Sequence, residues 1–272
     1  MFESEQGFLN NAAATERSGG YDPSFYAKLE RVEDGHFWFA ARRCAVEAVL
    51  KRHASDLPEA ARVLELGCGG GDVLRVVEQT LPGAFVAGME LNTEGLLRAR
   101  RRVKGLLVRG DATKPPFKPG FDLVCLFDVL EHLPKDDAAL LGVGRLLKPN
   151  GRVLLTVPAD PSLWSYFDEA SHHCRRYELK ELETKLKAAG FVPEFMTPYM
   201  RATYPLIRLG RTVRGFLGGK RRPAKELTEA DLRIIPGLNG LLKFLLKRDA
   251  ARLKKGRVLS AGSSLLALAR KS

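Results

Sequence analysis

Residues Val63–Val73 read "VLELGCGGGDV": an apolar run that breaks into Gly67, Gly69, Gly70 and Gly71, then Asp72 at the head of a helical pattern. Glycines at a strand-to-helix turn let the backbone adopt left-handed angles and approach a ligand closely. Such turns hold phosphates and nucleotides at the helix start. A phosphate-binding P-loop needs a lysine after its last glycine, and Gly71-Asp72-Val73 has none. A dinucleotide fingerprint, Gly-x-Gly-x-x-Gly counted from Gly67, puts its third glycine at Asp72, an anion where a pyrophosphate would rest. A tight turn without any ligand is the remaining plain reading.

Outward from this turn, short β-rich runs alternate with helical patterns, as in βαβ units of a parallel sheet. "RVLELG", "AFVAGMEL", "GLLVRGD", "FDLVCLFDVL" and "RVLLTVPA" read as strands, and "VPEFMTPYM" as a weaker sixth. "DVLRVVEQTL", "TEGLLRARRRV", "DDAALLGVGRLLKPNG" and "ELKELETKLKAAGF" read as the helices between them. The terminal "SSLLALARK" has strand-like length, which makes the residues before it an insertion between the last two strands. The first 60 residues, with "HFWFAARRCAVEAVLKRH", read as mostly helical.

The chain has 272 residues and a net charge of +12, and that charge is localised. Residues 201–272 hold 18 Lys/Arg against 4 Asp/Glu, whereas residues 1–200 hold 26 against 28. Four scattered cysteines, Cys44, Cys68, Cys125 and Cys174, lack metal-type spacing and fit a reducing compartment. The N-terminus has no secretory pattern, and no apolar run reaches the roughly 18 residues of a spanning helix. Within the basic quarter, Leu238, Leu241, Leu242 and Leu245 can share one face of a helix whose other side carries Lys243, Lys247 and Arg248. That pattern suits an anionic membrane surface or a solvated face over an ordinary core helix; sparse aromatics rank nucleic acid below lipid.

Several stations line up behind the glycine turn. The turn reads Glu65-Leu66-Gly67-Cys68-Gly69-Gly70-Gly71, and Glu90 of "GMELN" stands 19 residues beyond Gly71, near where ribose-binding acids end the next strand. "RGDATKPPF" follows with Asp111 and Ala112, then "FDVLEHL" and "LLKPNGRVLLTVP". In this order the segment resembles the class I S-adenosylmethionine (SAM)-dependent methyltransferases, over about residues 60–195. "HFWF" with Arg42 and Arg43 resembles an N-terminal feature of bacterial members.

The resemblance implies a Rossmann-like α/β fold: a mostly parallel seven-stranded sheet with helices on both faces and an antiparallel last strand. The expected parts are an N-terminal helical cap over residues 1–60, a SAM-binding core over 61–200, a basic insertion over 201–258, and a final strand within 259–272. It also implies cofactor contacts from Glu65, Gly67, Cys68, Gly69, Gly71, Glu90, Leu91, Asp111, Ala112 and Phe127. Glu90 would take both ribose hydroxyls, Asp111 and Ala112 the adenine, and Phe127 the methionine end. On the acceptor side, His132 of "DVLEHL" and His173 and Tyr177 of "SHHCRRY" are candidates for a base or an acceptor contact. A second reading makes His132, Arg176 and Tyr177 structural anchors.

Methyl transfer from a sulfonium is an in-line displacement that requires no metal, and none is expected; S-adenosylhomocysteine would be the product. The expected acceptor is a small molecule or lipid-linked metabolite, methylated on oxygen, nitrogen or carbon, with oxygen favoured. The expected location is the cytoplasm, with the inner face of a membrane as a docking surface. The competing functions are an NAD(P)-dependent oxidoreductase and a non-catalytic adaptor on the same fold.

Overall fold

A computed structural model of the chain describes residues 2–5, 7–11, 32–217 and 233–272. Among the described residues, nine strands form one sheet: β1 (Phe2–Glu5), β2 (Phe8–Asn11), β3 (Arg62–Leu66), β4 (Phe85–Glu90), β5 (Leu106–Arg109), β6 (Phe121–Phe127), β7 (Leu147–Pro158), β8 (Phe191–Tyr199) and β9 (Ser264–Lys271). Their order is β1-β2-β5-β4-β3-β6-β7-β9-β8. The strands from β2 to β7 run parallel, whereas β9 lies antiparallel between β7 and β8.

Seven of these strands match the expected sheet, and the terminal "SSLLALARK" is indeed a strand. The two extra strands lie in the N-terminal part, which reads as mostly helical, and were not expected from the sequence. β1 and β2 form a hairpin whose second strand joins β5 through Leu9↔Val108 and Asn10↔Arg109. Residues 12–31 of the expected cap, and 218–232 of the expected insertion, lie outside the described residues.

Helices cover both faces, as a parallel sheet buried on two sides requires. On one face lie α1 (Phe37–His53), α2 (Asp72–Thr80), α3 (Thr93–Arg102) and α8 (Pro236–Lys254); Val46, Val49, Leu74, Leu96 and Leu246 share a core there. On the other face α4 (Asp136–Leu146) and α6 (Leu179–Ala188) bury Leu140, Val143, Leu182 and Leu186. The short α5 (Tyr166–Ala170) and α7 (Tyr204–Leu217) sit beyond the carboxyl ends of the strands they follow.

The basic helix α8 is a core helix. Asn239, Leu242, Leu246, Asp249 and Leu253 recur at helical spacing and are buried. Asn239 accepts the Phe37 N–H at 2.8 Å and donates to the Gly35 carbonyl at 2.9 Å, which ties α8 to the start of α1. The four leucines expected on one face are divided: Leu242 is buried, Leu245 is half-buried, and Leu238 and Leu241 face solvent.

Strand order reverses between β3 and β6, because the chain runs β3-β4-β5 to one side and β6-β7 to the other. The loops after β3 and β6 therefore face each other across the crevice where ligands bind in open α/β sheets.

Candidate active site

The glycine turn leaves β3 with Gly67 at φ 73°, Gly69 at φ 50° and Gly71, the α2 cap, at φ 76°. Both Gly67 and Cys68 donate to the Met89 carbonyl, at 2.7 and 2.9 Å. A Cβ on Gly67 would stand 2.6 Å from Val129 Cγ2, so the turn is pressed against the loop after β6. A Cβ on Gly69 would meet nothing within 4 Å, so this backbone borders open space. That is the cradle a nucleotide-like ligand needs.

Glu90 ends β4 and is held by main chain. Its Oε2 accepts the Gly69 N–H and its Oε1 the Asn92 N–H, each at 2.9 Å. Leu91 follows it and accepts from Arg109 Nε through its carbonyl at 3.2 Å. Asp111 follows β5, where its Oδ1 accepts the Thr113 N–H and hydroxyl at 2.8 and 2.7 Å; Ala112 beside it is half-buried. Phe127 is 4 % exposed and packs with the core under α1, so its ring stays in the sheet. The next residue, Asp128 at φ 55°, turns out of the sheet.

The electrostatics of the crevice are acidic with two guanidinium braces. Arg42 on α1 pairs with Asp128 at 2.9 Å and Asp72 at 3.5 Å, and Arg43 pairs with Asp72 at 2.6 Å. Burial opposes the charge of Arg42, but Asp128 and Asp72 outweigh it and raise its pKa further above the usual range. The α1 helix is thus clamped to the glycine turn and the β6 exit while its aromatic end packs in place, with Arg42 lying 4.8 Å over the Trp38 ring. Asp72, whose charge counted against a pyrophosphate in the sequence, is neutralised by these two arginines.

Glu65 is 2 % exposed, and its Oε2 is buried without a hydrogen-bond partner. Burial raises its pKa well above the carboxylate range, Arg42 pulls it down, and Asp72 and Glu90 push it up again. An orphaned acid among acids suits a ligand that brings positive charge. The ammonium and sulfonium of SAM meet that demand, and the open backbone at Gly69 gives it room. Cys68 is buried, and burial lifts its thiol pKa well above normal, so it lines the turn as a small apolar group.

Beyond β6 and β7 a second polar group assembles. Asp168, fully buried, accepts from the Arg176 Nε at 2.8 Å and the Ser165 N–H at 2.8 Å and bonds His173 Nδ1 at 2.9 Å. His173 lies 4.8 Å from the His132 ring, edge to face. Burial, and then the neighbouring His173, hold the His132 pKa down to about 3. Glu131, 1 % exposed, stands beside them with an orphaned Oε2; burial raises its pKa well above normal, and Asp128 adds to the rise. Four non-glycine residues with positive φ, Asp128, Asp160, His172 and Met200, follow β6, β7, α5 and β8, so strain collects at this edge.

Tyr177 does not join the group. It is 1 % exposed in the core against α4 and α6, where its hydroxyl donates to Asp136 at 2.9 Å. Arg176 likewise braces the loop through Asp168 and the Ala159 carbonyl. Sequence reasoning missed Asp168, although Ser165-x-x-Asp168 is a helix-start pattern and forms a capping box here. It also missed the pairing of Arg42 and Arg43 with Asp72 and Asp128, for which no sequence signal exists.

Comparison with known proteins agrees with this geometry. Residues 38–194 match a family model described as a methyltransferase domain. A fatty-acid O-methyltransferase of Mycolicibacterium smegmatis is 38% identical over 102 residues, covering 36% of this chain and 37% of that protein. A ubiquinone biosynthesis O-methyltransferase of Dechloromonas aromatica is 33% identical over 102 residues, 35% of this chain and 43% of the relative. The chain therefore spans about two fifths of the length of these relatives. In three dimensions it resembles phosphoethanolamine N-methyltransferase 2 of Haemonchus contortus, solved with SAM, at a TM-score of 0.59 and 22% identity over 92% of this chain and 57% of that one. The nicotinamide reading falls with these matches. A family model that spans more than half the chain, over a glycine turn and acidic crevice suited to SAM, makes this chain a member of the methyltransferase-domain family, with the fold of the class I SAM-dependent members.

Proposed function

We propose that this enzyme transfers the methyl group of SAM to an oxygen of an apolar, lipid-like acceptor taken from an anionic membrane surface. The observation that carries the reading is the exposed apolar rim at the acceptor edge. Trp164 is 40 % exposed just after the turn Pro161–Leu163, and α7 packs against that turn with Leu206 and Leu209 facing solvent. Tyr204 of α7 donates to Asp160 at 2.7 Å, which holds the rim to the end of β7. Ile235, Leu238, Leu241 and Phe244 are exposed as well, on the region that carries the chain's excess of positive charge. Among the described residues no helix is long and apolar enough to cross a membrane. An interfacial docking helix needs no such length, and each basic side chain near anionic lipid contributes about 1 kcal/mol.

When bound, SAM supplies an activated methyl and leaves as S-adenosylhomocysteine. Glu90, aimed by the Gly69 and Asn92 amides, takes the ribose hydroxyls, with Leu91 beside it. Asp111 and Ala112 receive the adenine. Glu65, Gly67, Cys68, Gly69 and Gly71 would line the methionine end, with Phe127 bordering it from the end of β6. His173, oriented by Asp168, and His132 meet the acceptor oxygen. Holding donor and acceptor in line can supply about 7–11 kcal/mol of the barrier.

The test is incubation with methyl-labelled SAM and extracted lipids beside polar metabolites, followed by partition into organic solvent. Label should enter the organic phase, and label confined to water-soluble products would refute the lipid reading. For docking, the intact protein should float with phosphatidylglycerol vesicles and not with neutral ones. Replacing the exposed Leu238, Leu241 and Phe244 by serine should abolish flotation while leaving the buried α8 face intact. A wild-type protein that never floats would end the membrane part.

A further inference from the structure

We propose that Glu131, His132 and His173 form a binding site for a divalent transition-metal cation, a site that the displacement chemistry itself does not call for. One ligand atom from each residue can be chosen so that all three lie within 4.8 Å of one another. Two imidazoles and one carboxylate form a donor set suited to zinc, manganese, iron or cobalt. A tetrahedral site with roughly 2.0 Å bonds keeps its ligands about 3.3 Å apart, so small side-chain rotations close the set.

The geometry around the three residues carries the inference further than their proximity does. Glu131 is 1 % exposed, yet its Oε2 has no hydrogen-bond partner. A buried acceptor left unmade costs the protein stability unless something fills it. His173 has its Nδ1 committed to Asp168, which is itself locked by Arg176 and the Ser165 amide. That arrangement fixes the tautomer and presents Nε2, as the carboxylate behind a metal-bound histidine does. The His132 ring stands edge to face against His173, with centroids 4.8 Å apart.

Main chain joins the two loops that supply the ligands: the Cys174 N–H donates to the Glu131 carbonyl at 2.6 Å. Val129, two residues before Glu131, abuts Gly67, so the site adjoins the cofactor turn. An ion with three protein ligands retains open positions, and with it bound the two histidines would reach the acceptor oxygen through the ion rather than directly. This inference rests on the acceptor binding at the edge assigned above, but the site can be tested without any acceptor.

Untagged full-length protein would be stripped with chelator, dialysed against micromolar Zn2+ and, separately, Co2+, and assayed for bound metal. One ion per chain is expected, with cobalt showing the visible bands of a low-coordinate nitrogen and oxygen site. Glu131→Gln and His173→Gln should each weaken binding at least tenfold. Asp168→Asn should weaken it by roughly 10–100-fold, the usual effect of removing a partner behind a ligand. SAM affinity, measured by calorimetry on the same samples, should hold in all three variants and so report that they remain folded. Absence of stoichiometric metal in the wild type, or equal binding by Glu131→Gln, overturns the site. Methyl transfer to lipid that persists without metal binding would sink this inference alone; metal binding without any lipid product would sink the acceptor assignment alone.

Discussion

Substituting alanine for Gly69 separates the cofactor cradle from the fold. Gly69 sits at φ +50°, and a Cβ built there meets nothing within 4 Å. The folded protein therefore loses only the cost of a left-handed alanine, about 1–2 kcal/mol. For a chain of this size that lowers Tm by roughly 2–8 °C. The new methyl fills the space beside the Glu90-bound amide where the ligand must pass. SAM affinity should fall at least tenfold, equivalent to about 1.4 kcal/mol. Gly67→Ala provides the contrast, because its Cβ would stand 2.6 Å from Val129 Cγ2 at φ +73°. Overpacking adds about 1–3 kcal/mol to the same backbone cost. Calorimetric titration with SAM and thermal melts on both variants make the comparison. Gly69→Ala should be the more stable protein and still bind poorly. Wild-type affinity in Gly69→Ala, or a melt as low as that of Gly67→Ala, would refute the assignment of this open space to the cofactor.

Three further outcomes follow from the same site and its supports. Glu90→Ala removes the carboxylate proposed for the ribose, whose charge-assisted bonds are worth about 1.5–3 kcal/mol each; SAM binding should weaken at least tenfold, and unchanged affinity by calorimetry would reject that role. Arg42→Ala leaves Asp128 unbraced and Asp72 with Arg43 alone, so it should cost about 3–5 kcal/mol in a urea melt; a loss below 1 kcal/mol would show that α1 is held by its apolar face only. Burial opposes the charge of Asp136, but bonds from Arg175, Tyr177 and Lys185 outweigh it and hold its pKa below the ordinary value near 4. Its stabilisation is therefore complete above that value and is lost as pH falls through the depressed one. The stability gap between wild type and Asp136→Asn should narrow on acidification from pH 5 to 2.5, and a constant gap would contradict this.

Much of the core was legible in the residues because the signals are local. Alternation of apolar runs and the glycine turn mark β3, β4 and β6, and Glu90 lies one βα unit past the glycines, whereas Pro149-Asn150-Gly151, read as the close of a helix, lies inside β7. Each feature depends on near neighbours in the chain, so a single sequence displays it.

What only the tertiary structure decided concerns partners distant in sequence. The hairpin Phe2–Asn11 is a sheet edge because β5 leaves an edge open for it, and nothing within the hairpin states that. An amphipathic pattern in α8 shows that one face is apolar, but α1 determined which leucines were covered: Asn239 and Leu242 went inward while Leu238 and Leu241 stayed out. The same holds for Tyr177, which adjoins Arg176 in the chain yet turns into the core to meet Asp136 at the start of α4. Glu131, His132 and His173 meet because two loops, some forty residues apart, are drawn together at the carboxyl edge of β6 and β7. Sequence periodicity reports which side of an element avoids water; which groups then converge depends on strand order and loop closure, and these exist only in the folded chain.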